Sequence, residues 1–131
     1  MPTAANAYIG RDHYQVKIVA GKNSVVADEH EDVGGRNEGF SPSELLLASL
    51  GACTCATLRM YADRKEMKLE SVKVNLIMER DEEKNVTNIT RNMEFVGDLT
   101  NDEKLRLIQI ANKCPIHKVL TNPINITTQL L

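Results

Sequence analysis

A chain of 131 residues with 42% hydrophobic content suits one folded domain spanning residues 1–131. The net charge of −2 is spread with both signs mixed and no Lys/Arg block, which argues against nucleic acid or an anionic membrane as a partner. The opening Met-Pro-Thr-Ala-Ala-Asn has neither the basic start nor the apolar core of a secretion signal, and no apolar run approaches the roughly 20 residues of a membrane span, so a cytoplasmic location is expected.

Tyr14 to Val19 alternates as a strand does, with Tyr14, Val16 and Ile18 on one face and Gln15 and Lys17 on the other. Gly21-Lys22-Asn23 supplies a turn, and Ser24 to Ala27 reads as the returning strand. Asp28 to Gly39 is acidic and glycine-rich and reads as a loop. Ser41-Pro42-Ser43-Glu44 then announces a helix: Ser41 can cap it, Pro42 suits its first position, and Glu44 stands where a capping-box acid belongs. From Leu45 to about Lys65 the helix is apolar on most faces for its first four turns, which predicts a buried, central helix. The small residues Ala48, Ser49, Gly51 and Ala52 would let another helix approach closely.

Val72, Val74, Leu76 and Met78 alternate with polar residues, predicting a strand with one buried face. Asp81 to Asn85 is a charged turn and Val86 to Phe95 the return strand. Thr100-Asn101-Asp102-Glu103 is a second capping box, opening a helix through about Asn112. Pro115 should end or redirect that helix near Lys113. A short turn over Pro115 to Leu120 and a final strand over Ile124 to Leu130 complete the chain. The order β-β-α-β-β-α-(α)-β predicts an α+β domain with an antiparallel sheet. With no tryptophan and few aromatics the core is mostly aliphatic, and so short a chain invites oligomerisation.

Three cysteines, an odd number, argue against a structural disulfide framework. Cys53 and Cys55 lie two apart on a helix and point about 200° apart, so they do not share a site. Local pattern leaves each open between an inert buried thiol and a reactive one. Cys114-Pro115 fits a helix start with the thiol at the cap, where free N–H groups and the dipole favour a thiolate. His117, in that same turn, can donate to the sulfur. His13, His30 and His117 fall in no metal-ligand spacing with any cysteine pair, so neither a metal nor another cofactor is expected.

The run Gly39-Phe40-Ser41-Pro42-Ser43-Glu44-Leu45-Leu46-Leu47-Ala48-Ser49-Leu50-Gly51-Ala52-Cys53-Thr54, followed by Cys114-Pro115-Ile116-His117-Lys118-Val119-Leu120, closely resembles the OsmC/Ohr family (osmotically inducible protein C and organic hydroperoxide resistance protein). The resemblance implies an α+β, OsmC-like fold, an antiparallel sheet packed on long central helices in an intertwined homodimer. Each active site would lie at the dimer interface. It also implies a stress-response oxidoreductase, an antioxidant thiol peroxidase that reduces organic hydroperoxides. Cys53 takes the peroxidatic position and Cys114 the resolving one, and an external dithiol reduces the resulting disulfide. Cys55 has no counterpart role and reads as packing.

Family peroxidases also hold the thiolate reactive with an arginine and a glutamate. Arg11 stands at about the right distance upstream to be that arginine, with Arg36 as the other candidate. The glutamate departs from the pattern. Where family peroxidases read Asn-Pro-Glu, this chain has Ser41-Pro42-Ser43, with Glu44 one position later and turned by about 100°. His117 likewise stands where serine is usual. Both departures resemble a less characterised OsmC-like branch. They motivate a second reading, a non-catalytic dimer binding a small apolar ligand at the subunit interface. A third would use Cys53 and His117 for acyl or thiol transfer, provided the two side chains lie within hydrogen-bond reach.

Overall fold

The computed structural model describes residues 2–131 and divides into two compact units, one ending at Ala48 and one running Ser49–Leu131. The boundary falls inside the long helix α1, Pro42–Arg64.

The N-terminal unit carries a three-stranded antiparallel sheet, β1 (Asn6–Tyr8), β2 (Val16–Ala20) and β3 (Asn23–Ala27), in that order. β2 and β3 form the expected hairpin, with Ala20 opposite Asn23. β1 was not expected; three residues are too short to show an alternation. The acidic loop is held from within by Asp28, whose buried carboxylate accepts the N–H groups of Glu29 (2.8 Å), Arg36 (3.3 Å) and Glu38 (3.2 Å). Burial alone would raise its pKa, but these backbone donors win and hold it below the ordinary carboxylate range. The capping box of α1 closes as the sequence predicts: Ser41 N–H donates to Glu44 Oε1 at 2.8 Å, and Glu44 N–H to Ser41 Oγ at 3.2 Å.

The C-terminal unit is built on a long antiparallel hairpin of β4 (Leu69–Asp81) and β5 (Val86–Gly97), with Asp81 opposite Val86. Val72, Val74, Leu76 and Met78 of β4 turn inward, matched on β5 by Ile89, Arg91, Met93 and Phe95. The remainder of α1, α2 (Asn101–Ala111) and α3 (Pro115–Thr121) complete the unit. Its core joins Leu58, Tyr61 and Ala62 of α1 to Leu69 and to Leu107, Ile110 and Ala111 of α2. α2 has the predicted capping box between Thr100 and Glu103. Pro115 opens α3, as its fixed φ and missing N–H favour.

The α+β class with antiparallel pairing is therefore observed, as two sheets rather than one. Two expectations are corrected. Ile124 to Leu130 forms no strand: after Pro123 the chain has no paired partner, and Ile126 is 85% exposed. An apolar alternation makes a strand only where a sheet edge receives it. Nor is α1 buried all round. Only Leu50, Gly51, Thr54, Leu58, Tyr61 and Ala62 are buried, while Met60 is 68% exposed. One face meets the core, and Leu46 and Met60 stand outside it. At Gly51 the close neighbour is a strand, since an added Cβ would lie 2.9 Å from Leu76 Cδ1. Contrary to the sequence reading, α1 is also long and apolar enough to cross a membrane by length and composition; a core helix meets the same description.

Gly97 ends β5 at φ 146°, where a Cβ would stand 2.0 Å from the Lys68 carbonyl oxygen. Neither the backbone angle nor the opposing carbonyl can yield cheaply. Gly97→Ala is expected to lower the unfolding free energy by about 1–3 kcal/mol, read as a reduced urea midpoint at unchanged slope.

Candidate functional site

Cys53 and Cys114, sixty-one residues apart in sequence, meet within the C-terminal unit as free thiols close enough to act on each other's ionisation. α1 carries Cys53 one turn ahead of Thr57, and the break between α2 and α3 places Cys114 at the cap of α3. Cys114 is completely buried and Cys53 is half-buried, so Cys53 is the sulfur that a solute can approach.

Their environments push the two thiols in opposite directions. Burial raises the Cys53 pKa, and the Cys114 sulfur raises it further against weaker help from the Ile116 N–H and the Thr57 hydroxyl. Burial opposes ionisation of Cys114 too. There it is outweighed by the Cys53 thiol as donor, the N–H groups of His117 and Ile116, and the Thr54 hydroxyl, so its pKa falls. Ionisation is thus disfavoured at Cys53 and favoured at Cys114. The two titration steps belong to the pair rather than to either residue.

Arg91 organises the surroundings of this pair, and sequence reasoning did not single it out. Its guanidinium donates to Thr54 Oγ1 (3.0 Å), the Ala111 carbonyl (3.3 Å), Asn112 Oδ1 (2.9 Å) and His117 Nδ1 (3.1 Å). It ties α1, β5 and the α2–α3 junction together. Thr54 is fully buried, and its single proton is drawn between the Leu50 carbonyl at 2.7 Å and the Cys114 sulfur. The signal for Arg91 was a cation at an inward place in the alternation Ile89, Arg91, Met93, Phe95.

Arg11 and Arg36 are exposed residues of the N-terminal unit, and Arg36 meets Asp28 through its backbone N–H. Glu44 is engaged in the cap and in an ion pair with His30 at 3.2 Å. The Ser41 N–H and His30 hold its carboxyl below the usual range. Ser43 is exposed at the helix start. The His117 ring faces Arg91, and it is the His117 backbone N–H that reaches Cys114. Burial and the Arg91 charge lower the imidazole pKa, so the ring is neutral at neutral pH with Nδ1 accepting. An acyl-transfer pair of Cys53 and His117 finds no support in this arrangement. Cys55 is half-buried on another face of α1. Among the described residues, no three His, Cys, Asp or Glu side chains converge as metal ligands.

Residues 35–129 match the family model described as OsmC-like protein. No curated protein matches. Among solved structures, the chain is similar to an OsmC-like protein from Mycoplasma pneumoniae (20% identity, 92% of this chain and 87% of that one, TM-score 0.79). It is similar to an organic hydroperoxide resistance protein OsmC from Legionella pneumophila (22%, 92% and 90%, TM-score 0.69). It is also similar to the organic hydroperoxide resistance protein OhrB of Bacillus subtilis (19%, 92% and 91%, TM-score 0.63). At these identities the likeness is one of fold.

Proposed function

Because the chain belongs to the OsmC-like protein family, we propose that it is a cytoplasmic thiol peroxidase that reduces organic hydroperoxides through Cys53 and Cys114. The observation that carries this reading is the contact of an approachable thiol with a buried one whose ionisation is favoured. The names of the Legionella and Bacillus proteins, which share the fold, support it.

The steps follow from a Cys114 thiolate beside the Cys53 thiol. Cys53 passes its proton to the Cys114 sulfur and, as thiolate, attacks the terminal oxygen of the hydroperoxide. The O–O bond breaks, leaving a Cys53 sulfenic acid and an alkoxide, which takes the proton back from Cys114 and departs as the alcohol. The Cys114 thiolate then attacks the Cys53 sulfur, forming the disulfide and releasing hydroxide. An external dithiol returns both sulfurs to thiols by exchange. Arg91 and Thr54 position Cys114 and do not touch the peroxide.

The reading extends to a homodimer. Apolar surface on α1 and α2 is exposed at Leu46, Leu105 and Ile108, the β4–β5 ribbon has no further strand at either edge among the described residues, and Ile124, Ile126 and Leu130 are exposed on a segment that pairs with no strand among them. A second copy of the chain would cover such features.

The raised pKa of Cys53 favours the second reading, a dimer that binds a small apolar ligand without catalysis. One titration separates the two. Under the peroxidase reading, one equivalent of cumene hydroperoxide removes two of the three free thiols, leaving Cys55, and releases one equivalent of alcohol. Three thiols surviving an excess of peroxide would eliminate it.

A further inference from the structure

A cleft of about 450 Å³ opens beside the thiol pair, with walls from α1, α2 and the α2–α3 junction. Its rim carries four cations, Arg64, Lys65, Arg106 and Lys113, and no carboxylate lines it. None of the four takes part in an ion pair among the described residues. Like charges gathered around a shared concavity repel, and the field they focus attracts an anion.

Tyr61 stands among them. The Arg64 and Arg106 guanidinium carbons lie 5.6 and 5.9 Å from its ring centroid, and Arg106 Nε donates to its hydroxyl at 3.1 Å. Arg106 is thereby oriented, with Gln109 Oε1 taking a second hydrogen bond at 3.1 Å. The same positive field, led by Arg106, holds the Tyr61 phenol below its ordinary range despite burial.

Met60 and Ile110 give the cleft an apolar surface. Thr57 links it to the chemistry. This residue lines the cleft one helical turn after Cys53, while Pro115, also lining it, directly follows Cys114.

We propose that this cleft binds the anionic head of an amphipathic molecule, a carboxylate or phosphate on an apolar chain, with the chain against Met60 and Ile110. This binding stands independently of the peroxidase reading above.

Decanoate, decyl phosphate and decanol, which hold no O–O bond, measure binding without turnover. By titration calorimetry on the full chain at low salt, decanoate or decyl phosphate is expected to bind at least about tenfold more tightly than decanol. The tighter of the two identifies the head. Lys65→Gln/Lys113→Gln, which removes two charges without touching a core hydrogen bond, should erase most of that advantage, as should high salt. Arg106→Gln, checked for folding by circular dichroism, should do the same. Decanol binding as tightly as the anions, no binding of either anion, or anion binding unchanged in the lysine variant would overturn the proposal. Anion binding that persists in a protein inert to peroxide would count against the peroxidase reading alone.

Discussion

Cys53→Ser is expected to slow consumption of cumene hydroperoxide by about a thousandfold or more, because it removes the one sulfur of the pair that a solute can approach. Cys114→Ser should behave differently. It leaves Cys53 able to reduce one equivalent of peroxide, but the sulfenic acid then lacks its partner. A dimedone-type trap should label Cys53 in this variant and barely label the parent. Peroxide consumption at the parental rate in Cys53→Ser would refute the assignment of roles.

The two serine variants, made in a Cys55→Ser background, also test the coupling of the two thiols. Thiolate absorbance in that background should rise in two steps, one below and one above the ordinary thiol range, following the opposite shifts of Cys114 and Cys53. Removing Cys114 takes away a neighbour that raises the Cys53 pKa, so Cys53 should titrate lower in Cys114→Ser than in the upper step of the parent. Removing Cys53 takes away a donor that lowers the Cys114 pKa, so Cys114 should titrate higher in Cys53→Ser. Single steps in both variants at the parental positions would show that the sulfurs do not communicate.

The second large effect is expected at Arg91. Arg91→Met removes the donor to four acceptors, among them the fully buried Thr54 hydroxyl and the Ala111 carbonyl. The loss of unfolding free energy should be about 2–4 kcal/mol, measured by urea denaturation. Arg91→Lys keeps the charge but offers a point donor in place of a planar fork, so it should recover only part of the loss. A purely structural strut would leave the thiols unchanged. Here the lower thiolate step should rise in Arg91→Met, since Thr54 and the His117 turn that favour the Cys114 thiolate are released.

Arg91 also carries a pH signature. Burial and the guanidinium depress the His117 pKa below the ordinary value of about 6.5, so below that pH the unfolded chain binds a proton that the folded chain still refuses. Stability should therefore fall as pH drops from about 6.5 toward the folded pKa. The slope should be shallower in Arg91→Met, where one of the two causes of the shift is gone. A steeper or unchanged slope would contradict the Arg91–His117 link.

Much of the fold was legible because its signals are local. The capping boxes at Ser41/Glu44 and Thr100/Glu103 specify helix starts within four residues, and Pro115 restarts the chain as α3. The alternation Val72, Val74, Leu76, Met78 marks the inward face of β4 without reference to anything distant. Ile124 to Leu130 shows the limit of that logic. A period of two states which side chains share a face, but only a neighbouring strand makes a strand of them. β1 failed for the converse reason, being too short to carry a period while finding β2 to pair with.

The thiol chemistry divides in the same way. Cys53 and Cys114 were chosen from the sequence through a family resemblance carried by runs of neighbouring residues. Cys114 at the head of a helix followed from Pro115 alone. The opposite shifts of the two thiols depend on the packed chain, because the lowering at Cys114 needs Thr54, Ile116 and His117 brought to one place. Arg91 depends on it too, with hydrogen-bond partners 20 to 37 residues away along the chain. Sequence by itself determined most of the elements and, through the family motifs, which cysteines to pair as candidates, since caps, periods and motifs act over a few residues. Only the tertiary structure decided which thiol ionises more readily and which cation stands beside the pair, since burial and Coulomb interactions depend on distances that chain closure creates.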